Sequence, residues 1–242
     1  MSYRNRHECK FLVPESTAAV VLRRVLPHVE PDPFARASAD HSYPIASLYL
    51  DDQVQSLYRE TVEGQSQRFK LRVRTYDDDP AAPVFLEIKR RHDKIVQKMR
   101  CPLGRHLLAA VLAGEAVELT GAHPGRQAAL VEFQRLMQLR HAAPVVVVRY
   151  QRTAYIGLDD HEVRVTFDRR LSVLPETEPR VRIHDPAFRT VHTGGVVLEM
   201  KFTDRCPPWM LETMRICDLR RRSFSKYCNS VDALGSRRTA AT

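Results

Sequence analysis

The sequence predicts an α+β fold: roughly eight strands forming an antiparallel barrel, or a deeply curved sheet, braced by helices. Three observations lead to it. Several segments alternate charged and apolar residues with the period of two that marks a strand. Stretches with helical periodicity separate many of these strands, and few of the connections are two-residue hairpin turns. At 242 residues, the chain can bury one sizeable core, a common length for a single all-β barrel.

The alternation is clearest in Arg68-Phe69-Lys70-Leu71-Arg72-Val73-Arg74, where the four cations share one face and Phe69, Leu71 and Val73 the other. It recurs in Leu86-Glu87-Ile88-Lys89 and in Leu198-Glu199-Met200-Lys201-Phe202. Near the start, Arg6, Glu8 and Lys10 oppose Cys9 and Phe11. One such strand alone would be a solvated edge. Repeated, the pattern points to a sheet with one basic face turned to a polyanion and an apolar face turned under helices.

The elements follow in order. A strand covers Asn5–Val13, and Pro14-Glu15-Ser16 opens an amphipathic helix to about His28 with Val20, Val21, Val25 and Leu26 along one side. Pro44–Asp51 is a strand and Val54–Thr61 a short helix or turn. Strands at Arg68–Tyr76, Val84–Arg91 and Ile95–Cys101 follow, joined by Asp77-Asp78-Asp79-Pro80 and by a tight turn at His92-Asp93. Helices at His106–Ala113 and Arg126–Arg140 precede strands at Pro144–Tyr155 and Glu162–Arg169. A long loop over Val173–Gly195 leads to the strand Val196–Phe202 and a helix at Pro208–Leu219. Residues 1–230 form a single domain, and 231–242 a disordered tail.

Hydrophobic content of 43% and charged content of 28% are ordinary for a globular protein. The net charge of +9 is not, and it favours an anionic partner. No stretch is long and apolar enough to span a bilayer, and the N-terminus shows no signal-peptide pattern, which points to the cytoplasm. Cys9, Cys101, Cys206, Cys217 and Cys228 are odd in number, scattered and never in a Cys-x-x-Cys pair. That argues against a disulfide framework or a structural zinc site.

An inward basic face is tolerable only if it is wet and compensated, because buried unpaired charge is expensive. Glu8, Glu87, Glu162, Asp168 and Glu199 supply the acids on the same faces. Arginine forks bind phosphate oxygens in pairs, lysines act as point charges, and carboxylates hold Mg²⁺ or Mn²⁺.

An ordered set of segments then resembles a known family. The set is Arg6-His7-Glu8-Cys9-Lys10, Ser47-Leu48-Tyr49-Leu50-Asp51, Lys70 to Tyr76, Leu86-Glu87-Ile88-Lys89, Arg164-Val165-Thr166-Phe167-Asp168, Leu198 to Phe202 and Ser225-Lys226-Tyr227. It is similar to the VTC (vacuolar transporter chaperone) polyphosphate polymerase domain, one of the triphosphate tunnel metalloenzymes related to CYTH proteins. No single segment is specific; the order over about Tyr3–Asn229 is.

The resemblance implies an eight-stranded antiparallel tunnel around a triphosphate or polyphosphate chain. Carried over by position, the phosphate ligands are Lys10, Arg72, Arg74, Lys89, Lys98, Arg100, Arg152, Arg164, Lys201 and Lys226. Glu199 is the leading ligand for Mn²⁺ or Mg²⁺, with Glu87 and Glu8 behind it. The chain has Arg6-x-Glu8-x-Lys10 where tunnel hydrolases begin Glu-x-Glu-x-Lys, which weakens a two-metal hydrolytic site and suits the VTC branch.

The expected activity is therefore metal-dependent transfer of the γ-phosphoryl of ATP to polyphosphate, with no residue acting as nucleophile. The alternatives are a tripolyphosphatase using the same residues and a non-catalytic polyanion-binding module. Nucleic acid is disfavoured as a specific partner because the basic faces carry few aromatics for base stacking, Tyr76 and Tyr150 being the best placed. Plainer readings exist: Arg72 and Arg74 as a solvated face, Glu199 as an ion-pair partner of Lys201, Lys98 and Arg100 as an exposed hairpin, and Ser225-Lys226-Tyr227 as a helix cap. Arg90, Lys94 and Arg149 are expected at the surface.

Overall fold

A computed structural model describes residues 6–36, 38–93, 95–119 and 123–235, together with the backbone but not the side chain of Arg6. The elements are β1 (Arg6–Val13), α1 (Glu15–Val25), β2 (Val29–Pro31), β3 (Ser42–Asp51), α2 (Ser56–Val62), β4 (Gln67–Thr75), β5 (Val84–His92) and β6 (Ile95–Leu103). There follow α3 (Leu108–Leu112), α4 (Pro124–Leu139), β7 (Ala143–Gly157), β8 (Arg164–Pro175), β9 (Arg189–Thr190), β10 (Val196–Thr203), α5 (Pro208–Ile216) and α6 (Lys226–Gly235). Among the described residues, no helix is long and apolar enough to cross a membrane.

The strands belong to one large sheet with the order β1-β10-β8-β7-β3-β4-β5-β6; the short β2 pairs with β7 and the short β9 with β8. β1 with β10, β10 with β8, β2 with β7, β3 with β4, β4 with β5, β5 with β6 and β8 with β9 all pair antiparallel. The expected closed barrel is corrected here: the path of hydrogen-bonded strands is open, with β1 and β6 at its ends. Closure requires the first and last strands to pair. β6 has the marks of an edge: it contains Pro102, which cannot donate to a ladder, and Ile95 to Lys98 are exposed.

The chain divides into two compact units. The first comprises Met1–Tyr43, Tyr150–Leu171 and Val191–Ser225. Its core is the apolar row of three strands under α1: Cys9, Phe11 and Val13 of β1, Val165 and Phe167 of β8, and Val196, Leu198, Met200 and Phe202 of β10, packed with Ala18, Val21 and Val25. The register sets Lys10 opposite Glu199 and Glu8 opposite Lys201. The charged residues of β1 and β10 thus occupy the face away from that core. Helix α1 carries Glu15 in its first turn and Arg23 and Arg24 in its last, in the sense the helix dipole favours. Gly195 leads into β10 because a Cβ there would lie 2.4 Å from the Val13 carbonyl oxygen.

The second unit comprises Pro44–Arg149, Ser172–Thr190 and Lys226–Thr242. Its core joins Leu71 and Val73 of β4 and Leu86 and Ile88 of β5 to Leu130, Phe133 and Met137 of α4. Helix α4 starts with Pro124 at its first position, and the His123 ring nitrogen accepts from the Gly125 N–H, so its first turn is capped. Between β5 and β6, Asp93 adopts φ 52°, the left-handed conformation a tight hairpin turn requires.

The described elements follow most of the expected ones, but the short β2 and the helix α6 are not among those expected. β8 continues to Pro175, and β9 lies inside what the sequence suggests is a long loop. Glu162 lies before β8 in an exposed turn rather than on a strand face. Residues 231–235, expected in the tail, complete α6; residues 236–242 lie outside the described residues, as does Lys94.

Candidate functional site

In the first unit, the alternation of β1 and β10 builds a square of opposite charges. Lys10 Nζ lies 3.0 Å from Glu8 Oε1 and 3.6 Å from Glu199 Oε1. Lys201 Nζ lies 3.0 Å from Glu199 Oε2 and 3.8 Å from Glu8 Oε2. Lys10 also donates to the Phe224 carbonyl at 3.3 Å, and its own carbonyl accepts from the Arg222 N–H. The C-terminal segment of this unit is thereby tied to β1.

Arg152 of β7 grips Asp168 of β8 through two parallel hydrogen bonds, Nε to Oδ1 at 2.6 Å and Nη2 to Oδ2 at 2.7 Å, and reaches to 3.9 Å from Glu199. Burial alone would lower the guanidinium's pKa, but Asp168, Tyr150 and Glu199 raise it well above its ordinary value. Arg152 is a fixed cation. Arg164 is paired with Asp32, a buried carboxylate in the turn after β2 that sequence reasoning missed. Only the folded chain brings these two together, since nothing in the spacing of residues 32 and 164 signals it.

In the second unit, four cations converge on one buried carboxylate. Glu87 Oε2 lies 2.6 Å from Arg72 Nη2 and 3.7 Å from Arg74 Nε, and Glu87 Oε1 lies 2.7 Å from Lys98 Nζ and 3.5 Å from Arg100 Nε. The register of β4, β5 and β6 produces this, with Arg72 opposite Glu87 and Glu87 opposite Arg100. One step along, Lys70, Lys89 and Lys98 form a row of three lysines across the same strands. Glu87 is 1% exposed. Burial alone would raise its carboxyl pKa, yet Arg72, Arg74 and Lys98 hold it well below the usual carboxylate range.

Two hydroxyls complete this cluster. Arg72 Nη1 donates to the Tyr49 hydroxyl at 3.1 Å, and Arg74 Nε to Ser47 Oγ at 3.3 Å. The Arg100 guanidinium stacks on the Phe85 ring, 3.7 Å from its centroid, and donates to the Tyr76 hydroxyl at 3.2 Å. Lys226 is the first residue of α6. Of the residues expected at the surface, Arg90 pairs with Glu132, whereas Arg149 is half-buried, donating to Ser172 Oγ and the Ile183 carbonyl. Arg149 straps the 172–190 segment of its own unit.

The expected ligands thus fall into two groups. Glu8, Lys10, Arg152, Glu199 and Lys201 assemble in the first unit, with Arg164 paired to Asp32 in the same unit. Arg72, Arg74, Glu87, Lys98 and Arg100 assemble in the second, with Lys89 beside them in register. Among the described residues, no three His, Cys, Asp or Glu side chains gather as a metal-ligating group.

Residues 5–235 match the VTC domain, nearly the whole chain. The chain belongs to the VTC domain family. VTC domains are associated with polyphosphate polymerases of the tunnel fold. No curated protein matches this VTC chain. Among solved structures, the PH1819 protein from Pyrococcus horikoshii OT3 is similar, at 11% identity and a TM-score of 0.44 over 90% of this chain and 95% of that one.

Proposed function

We propose that this VTC domain is a metal-dependent phosphotransferase that moves the γ-phosphoryl group of ATP onto a polyphosphate chain. The observation that carries the reading is the convergence of Arg72, Arg74, Lys98 and Arg100 on the single buried Glu87. Arg72 also donates to the Tyr49 hydroxyl, Arg74 to Ser47 Oγ, and Arg100 stacks on Phe85, contacts that hold the guanidinium groups without adding negative charge. Such a surface suits a dense polyanion better than a single carboxylate.

Glu87 does not fit a metal ion, because each of its oxygens already faces two cations. It acts as the counter-ion of its cluster. The Glu8–Glu199 pair fits better: both are hard oxygen donors in one cluster, and Mg²⁺ or Mn²⁺ typically takes one or two carboxylates with phosphate oxygens and water. Glu199 with Glu8 would hold the ion. Once bound, it would neutralise charge on the transferring phosphoryl group. Lys10 and Lys201, now neutralised by those glutamates, would turn to phosphate oxygens when the ion takes their place.

Phosphoryl transfer demands little covalent chemistry of a protein; holding donor and acceptor in line and neutralising spread charge supplies most of the rate. Arg72, Arg74, Lys89, Lys98 and Arg100 would grip successive phosphates along β4 to β6. Arg152, held by Asp168, would present a guanidinium of fixed position.

The test is incubation of the purified protein with ATP and Mn²⁺. Long-chain polyphosphate is the expected product. Free phosphate alone would make the protein a tripolyphosphatase, with water as acceptor. Neither product, with tight polyphosphate binding, would make it a polyanion-binding module.

A further inference from the structure

Ser47, Tyr49 and Asp51 alternate along β3 and so share one face, next to the basic row of β4. The register places Ser47 opposite Arg74 and Tyr49 opposite Arg72. Each of the first two hydroxyls accepts from the arginine it faces. A hydroxyl is a well-chosen acceptor here. It satisfies a guanidinium N–H and, for Arg72, adds a third hold on a fork that Glu87 Oε2 already grips through Nε and Nη2, yet it cancels none of the remaining positive charge. A carboxylate in either place would hold the arginine as well and neutralise it.

Tyr49 is itself fixed. Its ring stacks on the Tyr227 ring, with centroids 4.9 Å apart and planes 17° from parallel. Tyr227 is 1% exposed, and its hydroxyl donates to Asp51 Oδ2 at 2.6 Å. Asp51 accepts three backbone bonds as well, from the N–H groups of Asp52, Leu57 and Tyr58, each at 2.9 Å. Its charge is thus spent on the start of α2 and on Tyr227, and it is the anchor of the row.

We infer that Asp51, Tyr227 and Tyr49 are positioning residues, a buried relay that fixes the Arg72 guanidinium for phosphate through a stacked ring pair and a neutral hydroxyl. The inference rests on the reading of Arg72 as a phosphate ligand. The protonation states agree with the geometry. Burial and the Asp51 carboxylate raise the Tyr227 phenol, so it stays a donor. Burial would also raise Tyr49, but Arg72, Arg74 and Lys70 bring it below its ordinary value, so the field of the cations falls on its hydroxyl oxygen. The relay also gives the segment Ser47-x-Tyr49-x-Asp51 and the Tyr227 after Lys226 a role that phosphate contact alone does not.

The test measures tripolyphosphate binding by calorimetry for Tyr49→Phe, Tyr227→Phe, Arg72→Ala and their pairs. Tyr49→Phe keeps the ring stack and removes one hydrogen bond to a charged group, so affinity should fall about 5-fold or more. In the Arg72→Ala background, Tyr49→Phe and Tyr227→Phe should cost nothing further, whereas Tyr49→Phe should add fully to Lys201→Ala in the other unit. A purely structural role would not produce that selectivity. Thermal melts identify a variant that fails to fold; should Tyr227→Phe do so, Tyr49→Phe decides alone. If Arg72→Ala weakens binding while Tyr49→Phe does not, or if the two add, the relay is overturned and Arg72 remains a phosphate ligand. If Arg72→Ala itself leaves binding unchanged, the phosphate reading of this cluster fails, and the relay with it.

Discussion

Lys98 Nζ sits 2.7 Å from Glu87 Oε1, a contact between an ammonium that is 44% exposed and a carboxylate that is 1% exposed. Burial together with the neighbouring Arg72 and Arg74 lowers the lysine against the pull of Glu87, to about 8. The lysine is therefore charged below about pH 8 and loses its proton as the pH rises through it. A bound polyphosphate favours the charged form and raises that pKa, so binding takes up a proton above pH 8. Tripolyphosphate affinity should fall as pH rises past 8, by at most about tenfold per pH unit. Lys98→Arg stays charged and should flatten the profile. Titrations on either side of pH 8 check this; an unchanged profile in Lys98→Arg would place the titrating group elsewhere.

Glu199→Gln should abolish turnover with Mn²⁺ while tripolyphosphate binding without metal holds or tightens. The substitution removes a carboxylate from the Lys10–Glu8–Lys201 cluster and leaves it more positive. Binding by calorimetry and product assays at limiting Mn²⁺ separate the two effects. Wild-type turnover at limiting metal would reduce Glu199 to a balancing charge.

Arg152→Ala should destabilise the fold by about 3–5 kcal/mol, because it removes the guanidinium that grips Asp168, a carboxylate 3% exposed. Adding Asp168→Ala should recover part of the loss, since the buried carboxylate is then gone. Urea unfolding of both variants measures it. An undiminished midpoint in Arg152→Ala would mean that Asp168 finds another cation.

Phe133→Ala should cost about 3–5 kcal/mol from a cavity beneath β4 and β5, the ring being 0% exposed in that core. Thermal or urea unfolding reads it directly. A loss below 1 kcal/mol, on the scale of a surface change, would show that α4 collapses into the space.

Much of this was legible in the sequence because period-two alternation is a local signal. Arg72 and Arg74 against Leu71 and Val73, and Glu199 and Lys201 against Leu198 and Met200, declare both the core row and the charged row of their strands. What pairs with what was not local. Asp32 under Arg164, Ser47 and Tyr49 under the arginines, and Asp51 bound to Tyr227 depend on register and on contacts between residues far apart in the chain. Ser225-Lys226-Tyr227 offers a helix cap to the sequence, but that Tyr227 of α6 donates to Asp51 is a contact across 176 residues that no local pattern announces. The open strand path was invisible as well, since alternation fixes faces and not which edges meet.

The pairing of β1 with β10 has a consequence for how the protein is made. Val13 lies opposite Val196, so β1 must wait for about 180 further residues to be made before its ladder can form. At about 5–20 residues per second, that delay is on the order of ten to forty seconds. Through it, Phe11 and Val13 have neither β10 nor the Leu198 and Met200 side chains to bury against. A growing chain that carries an apolar, unpaired strand is open to mispairing with its neighbours on a polysome. Yield during expression should therefore respond to chaperone level and growth temperature more than the stability of the finished protein would indicate.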